Sequence, residues 1–112
     1  MNAERLLGSF LEMVKIESPS WHEAAMADYC VRALEDMGFA VRVDDSAAQT
    51  GSDTGNVIAH LPGTPGAAGR HIAFSAHMDT VVPCQGIEPV IETRAVEGAA
   101  DKRGEGAVDA RG

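Results

Sequence analysis

The chain has 112 residues, 45% of them hydrophobic and 23% charged, with a formal net charge of −8. That length allows one small domain burying roughly 60–70% of its unfolded surface. With aromatics at 4%, Leu, Val, Ile, Met and Ala must build the core. The acidic balance argues against nucleic acid and against an anionic membrane face, because phosphate binding needs a basic surface. Two cysteines, Cys30 and Cys84, are too few for a secreted disulfide framework. No apolar run approaches the roughly 20 residues of a membrane span. The first ten residues carry only Arg5 as a base, which does not read as a signal peptide. The expected compartment is the cytoplasm.

In chain order, residues 4–16 place Leu6, Leu7, Phe10, Leu11 and Val14 on one helical face. Ser18-Pro19 ends that helix, since the residue before a proline leaves the helical region. Ser20 and Glu23 have the spacing of a capping box. The spacing predicts a second helix that buries Ala25, Met26, Tyr29, Cys30, Ala33, Leu34 and Met37, with Gly38 as its stop. Residues 39–43 alternate with period two and read as a strand. A polar loop over 44–55 leads to a second strand over 56–61, ended by Pro62-Gly63. After a turn-rich stretch, residues 71–77 read as a third strand, and Ile72-Ala73-Phe74-Ser75-Ala76 is apolar enough for an inner position. Val90 and Ile91 open a fourth. Two helices followed by a mostly inner-strand sheet predict an α/β fold.

From Thr93 to Gly112 nearly every residue is Ala, Gly, Arg, Glu or Asp, and neither helical nor strand period survives. The expectation is a folded part over 1–92 and a degraded or disordered tail over 93–112. An interrupted or shifted reading frame is the preferred origin of that tail.

The chemical signal is Ser75-Ala76-His77-Met78-Asp79-Thr80-Val81-Val82-Pro83. In a strand, residues two apart share a face, so His77 and Asp79 are expected to face one pocket at a strand end. A neutral imidazole is a good zinc ligand, and a nearby carboxylate can orient it. By itself His-x-Asp is a weak pattern, because a lone His at a strand end is more often a surface or capping residue.

Its surroundings add weight. The segment 75–83 resembles the metal-binding strand of the dinuclear zinc exopeptidase and deacylase family. Ser18-Pro19-Ser20-x-His22-Glu23, Asp53-Thr54-Gly55-Asn56-Val57-Ile58-Ala59 and Gly86-Ile87-Glu88-Pro89-Val90-Ile91 resemble, in the same order, stretches of its peptidase T-like branch. The likeness spans about residues 5–92. It implies that this chain is the amino-terminal part of a zinc-exopeptidase catalytic domain, incomplete as it stands. It also implies two zinc ions in the complete enzyme, and removal of amino-terminal residues from short peptides by a metal-activated water. Carried over by position, His77 is a zinc ligand and Asp79 its catalytic orienting partner.

The family's second motif, Gly-Ala-Asp-Asp-Lys-Ala-Gly, is answered here by Gly98-Ala99-Ala100-Asp101-Lys102-Arg103-Gly104. Without a gap, the bridging position falls on Ala100, so Asp101 takes that metal-binding role only if the backbone shifts by one residue. The glutamate pair that supplies the family's general base, the remaining ligands and the lid domain used for dimerisation lie further along than this chain extends. A hydrolase of this type needs both a metal-activated water and a base. The isolated chain is therefore expected to be inactive. The alternatives are an N-acyl amino acid deacylase of the same family and a non-catalytic remnant.

Other polar residues have blander readings. His22 is expected on a helix surface, and His60 and His71 at solvated strand boundaries. Cys30 fits the buried face of the second helix. Cys84 stands where the family usually has glycine, and a thiolate there is a weak candidate for zinc. Trp21 is expected to pack the two helices together. Asp44, Asp45 and Asp53 are expected to decorate a mobile loop.

Overall fold

A computed structural model describes residues 1–67 and 69–94 with their side chains, and the backbone of 105–111. The chain divides into two units, Glu17–Val82 and a second built from Met1–Ile16 with the chain from Pro83 onward.

In the second unit, α1 covers Ala3–Val14 and is capped by Asn2, whose side chain accepts from Arg5 N. The amphipathic spacing does form a helix, yet Leu6 and Phe10 remain exposed. This unit also holds β3 (Glu88–Arg94) and β4 (Glu105–Arg111), paired antiparallel with Ile91 opposite Val108. The sequence leads one to expect no regular element after residue 93. The backbone of Glu105–Arg111 is instead a strand, because a strand needs only a partner ladder and β3 supplies one. Cys84 is buried.

In the central unit, α2 (Ala24–Asp36) packs on an antiparallel pair formed by β1 (Ala40–Val43) and β2 (Val57–His60). Gly38 ends α2 as expected. Its φ of 92° lets Phe39 N reach Leu34 O and Gly38 N reach Glu35 O, a closing pattern that favours glycine. The buried residues of α2 are Met26 and Ala27, whereas Ala25 and Met37 are exposed. The loop between β1 and β2 is ordered by Asp44. Its Oδ1 accepts from Ser46 N, Ser46 Oγ and Asn56 N, and its Oδ2 accepts from Asn56 Nδ2. The loop also contains a one-turn helix, α3 (Ala47–Thr50). Asp44 thus closes a loop rather than decorating one.

The expected inner strand over 71–77 is absent. Among the described residues nothing pairs with it, and Ile72 is 85% and Phe74 95% exposed. An apolar run marks a buried strand only where neighbours cover both its faces. The described ladders are antiparallel pairs of two strands, so the fold is mixed helix and small sheet.

Candidate functional site

The segment carrying His77 and Asp79 is irregular, yet it is tied down from a distance. Ser18, fully buried, donates from Oγ to Met78 O at 2.9 Å. The carbonyl of Ser18 accepts from Thr80 N at 2.7 Å and from Thr80 Oγ1 at 3.2 Å. Residues 18–20 therefore splint residues 78–80. Ser20 completes the splint by donating from Oγ to Asp79 Oδ2 at 2.5 Å.

Asp79 in turn holds the histidine. Its Oδ1 and its backbone carbonyl each lie 2.8 Å from His77 Nδ1. An ionised carboxylate and a carbonyl only accept, so Nδ1 carries a proton, and in the neutral imidazole Nε2 is then the nitrogen with the lone pair. The His77 side chain is 84% exposed, and among the described residues Nε2 has no hydrogen-bond partner. The hydrogen bond from Ser20, with that from His77 and the attraction of the imidazole, holds the Asp79 carboxyl below its usual range despite some desolvation. Pro19, Ser20, His77, Asp79 and Val81 line one shallow groove. The two residues share a groove as the sequence suggests, although a splinted loop, not a strand's period, brings them together.

The splint starts from a tight turn. His22 N donates to Pro19 O at 2.9 Å, and Trp21, third in that turn, has a φ of 74°. Positive φ at the third position belongs to a type II turn, where glycine is usual. Trp21 is 57% exposed instead of packing the helices together.

Three contacts hold the turn. Trp21 N donates to Glu23 Oε1, Asp53 N donates to Trp21 O, and Asp53 Oδ1 accepts from Ala24 N at the start of α2. Ser52 Oγ donates to Glu23 Oε2 at 2.7 Å. Burial alone would push the Glu23 carboxyl up, but the hydrogen bonds from Ser52, Trp21 and its own backbone outweigh it and lower its pKa. The expected capping box is thus redistributed. Asp53, distant in sequence, caps α2, and Ser20 serves Asp79. Pairwise spacing near one helix start cannot show a cap supplied from 29 residues away. The available signal was that two polar clusters, 18–23 and 52–56, flank the same helix and strand.

No protein-family model matches the chain. The structure is similar to part of a peptidase. It matches a crystal structure of aminopeptidase PepT from Bacillus cereus ATCC 10987 with a TM-score of 0.75 and 41% identity, over 82% of this chain and 24% of that one. The chain is also 41% identical to the uncharacterized protein YqjE of Bacillus subtilis (strain 168), over 93% of its own length. It spans 29% of that relative's length.

The donor chemistry of His77 fits one position of a metal site, since it is an exposed imidazole with its second nitrogen fixed by a carboxylate. Among the described residues no three His, Cys, Asp or Glu side chains come together as a metal group, so His77 stands without further ligands there. Asp101 lies outside the described residues. Cys84 is buried, and His22, 4.0 Å from Asp53, belongs to the turn. Among the described residues no helix is long and apolar enough to cross a membrane.

Proposed function

We propose that this chain forms part of a zinc-dependent aminopeptidase of short peptides, in which His77 Nε2 is a metal ligand and Asp79 its orienting partner. The observation that carries the reading is the 2.8 Å contact between His77 Nδ1 and Asp79 Oδ1, which occupies Nδ1 and leaves Nε2 as the ring nitrogen available to a metal. The likeness to PepT supports a peptidase over a deacylase. Asp101 would be the further carboxylate this chain offers to the metal, with the backbone shifted by one residue from the ungapped alignment.

When bound, zinc would supply a water nucleophile at neutral pH and polarise the scissile carbonyl. The residues of this chain do the positioning. His77 presents Nε2, Asp79 keeps the proton on Nδ1, and the splint over 18–20 keeps both at one side of the groove. Proton transfer from water needs a base, and the described residues place none beside His77 apart from Asp79, whose carboxylate is engaged by Ser20 and His77. On this reading the base comes from outside the described residues.

A chimera tests the reading. Residues 1–92 of this chain replace the matching stretch of the Bacillus cereus PepT, and release of the amino-terminal residue from a tripeptide is measured with added zinc. The expected result is hydrolysis that His77→Ala removes. A folded, zinc-loaded chimera that leaves tripeptides intact would overturn the aminopeptidase reading.

A further inference from the structure

We propose that Ser20 is a positioning residue for His77, acting through Asp79. Its purpose rests on the reading of His77 as a metal ligand, while its geometry does not.

A carboxylate's terminal torsion is broad and roughly two-fold, so no rotamer preference keeps Asp79 Oδ1 aimed at Nδ1. His77 and Asp79 also lie on a segment without regular structure. The carboxylate's orientation is set from outside, by the 2.5 Å bond from Ser20 Oγ to Oδ2. A bond this short to an ionised acceptor belongs to the stronger class of hydrogen bonds. With Oδ2 held, Oδ1 is left to face the imidazole.

Ser20 is itself aimed. It sits inside the Pro19–His22 turn, immediately before a tryptophan at φ 74°. Such a backbone outlier persists only where its surroundings over-determine it, and these sites cluster where geometry serves a function. Glu23 and Asp53 grip both the N–H and the carbonyl of Trp21. A chain of contacts thus runs from Ser52 and Glu23 through the strained turn to Ser20, Asp79 and Nδ1 of His77. The Ser20 side chain is exposed, so packing does not account for it.

The structure also holds a competing arrangement. The backbone carbonyl of Asp79 also lies 2.8 Å from Nδ1 and is able to hold the same tautomer without Ser20. Long-range proton–nitrogen spectra of the full chain, labelled with 15N-histidine and recorded where the imidazoles are neutral, separate the two. Wild type should show His77 protonated on Nδ1. Ser20→Ala should erase that preference, bringing His77 to the tautomer mixture of exposed His60 and His71. It should also raise the zinc needed to shift Nε2 by about tenfold, the lower end for losing an outer partner of a metal-binding histidine. Ser20→Thr, which keeps the hydroxyl, should restore both.

An unchanged His77 tautomer in Ser20→Ala would overturn the proposal in favour of the carbonyl. So would an equal change in Ser46→Ala, which removes a hydroxyl from the Asp44 loop and would signal general loosening. If zinc fails to shift Nε2 in wild type while Ser20→Ala still changes the tautomer, the metal reading falls and the role of Ser20 stands.

Discussion

Asp79 Oδ1 stands 2.8 Å from His77 Nδ1, within reach of a hydrogen bond that the ring nitrogen donates and the carboxylate accepts. Removing that carboxylate by Asp79→Ala should weaken zinc binding at His77 by roughly 10–100-fold. Zinc titration followed by the nitrogen shift of His77 Nε2 reads this directly, and equal affinity in the variant would show that the carboxylate is idle.

Ser18 is fully buried and its hydroxyl satisfies Met78 O. Ser18→Ala leaves that carbonyl without its partner, at a cost of about 1–3 kcal/mol. The urea midpoint should fall with the slope of the transition unchanged. A midpoint within error of wild type would mean that water reaches the carbonyl.

Gly55 is buried against the start of its own loop. A β-carbon there would fall on Asp44 O and lie 2.6 Å from Asp44 Oδ1. Backbone has little room to yield, so Gly55→Ala should cost about 3 kcal/mol, the upper part of the usual overpacking range. Thermal unfolding checks this, and an unchanged Tm would contradict it.

Trp21 is in the left-handed region and largely exposed. Glycine there removes a penalty of roughly 1–2 kcal/mol while giving up modest burial. Trp21→Gly should therefore leave stability within about 1 kcal/mol of wild type. Trp21→Val, with a branched β-carbon at positive φ, should be clearly less stable. Urea unfolding of the pair separates backbone strain from side-chain loss, and a Gly variant as weak as the Val variant would refute the strain account.

Asp44 accepts side-chain bonds from Ser46 and Asn56 and backbone bonds from both, which hold its carboxyl well below the ordinary 3.8. A carboxyl depressed by folding contributes stability above its unfolded pKa and loses it as pH falls through the folded value. Asp44→Asn should therefore be less stable than wild type at neutral pH. The gap should hold constant down to about pH 5 and narrow only below the unfolded pKa. Urea unfolding across pH 7 to 3 measures it, and a gap that vanishes above pH 5 would assign it to another group.

What local pattern controls was legible in the residues. The 3.6-residue spacing around Leu7 and Leu11, the stop at Gly38 and the alternation of Val41 and Val43 each depend on neighbours within one turn or one pleat, and each formed the expected element. Residues 71–77 failed for the opposite reason. Their apolar run resembles an inner strand, but strand formation depends on a partner, and none is present among the described residues. A spacing of two pointed His77 and Asp79 to one groove, but the splinted loop and not a strand places them there, and Ser20 and Asp53 were misassigned because their partners lie 59 and 29 residues away. Contacts of that separation leave no period in a sequence.

The splint that joins Ser18 to Met78 spans 60 positions of chain. Closing a loop of that size costs about 4 kcal/mol beyond a constant, before any bond it permits is made. The helix α2 and the hairpin of β1 and β2 close over far shorter distances, so they are able to form first. The hold of Ser18 and Ser20 on residues 78–80 therefore depends on a closure much longer than any contact within α2 or the hairpin, and the aim that Ser20 gives Asp79 is a product of the assembled chain rather than of its local segment.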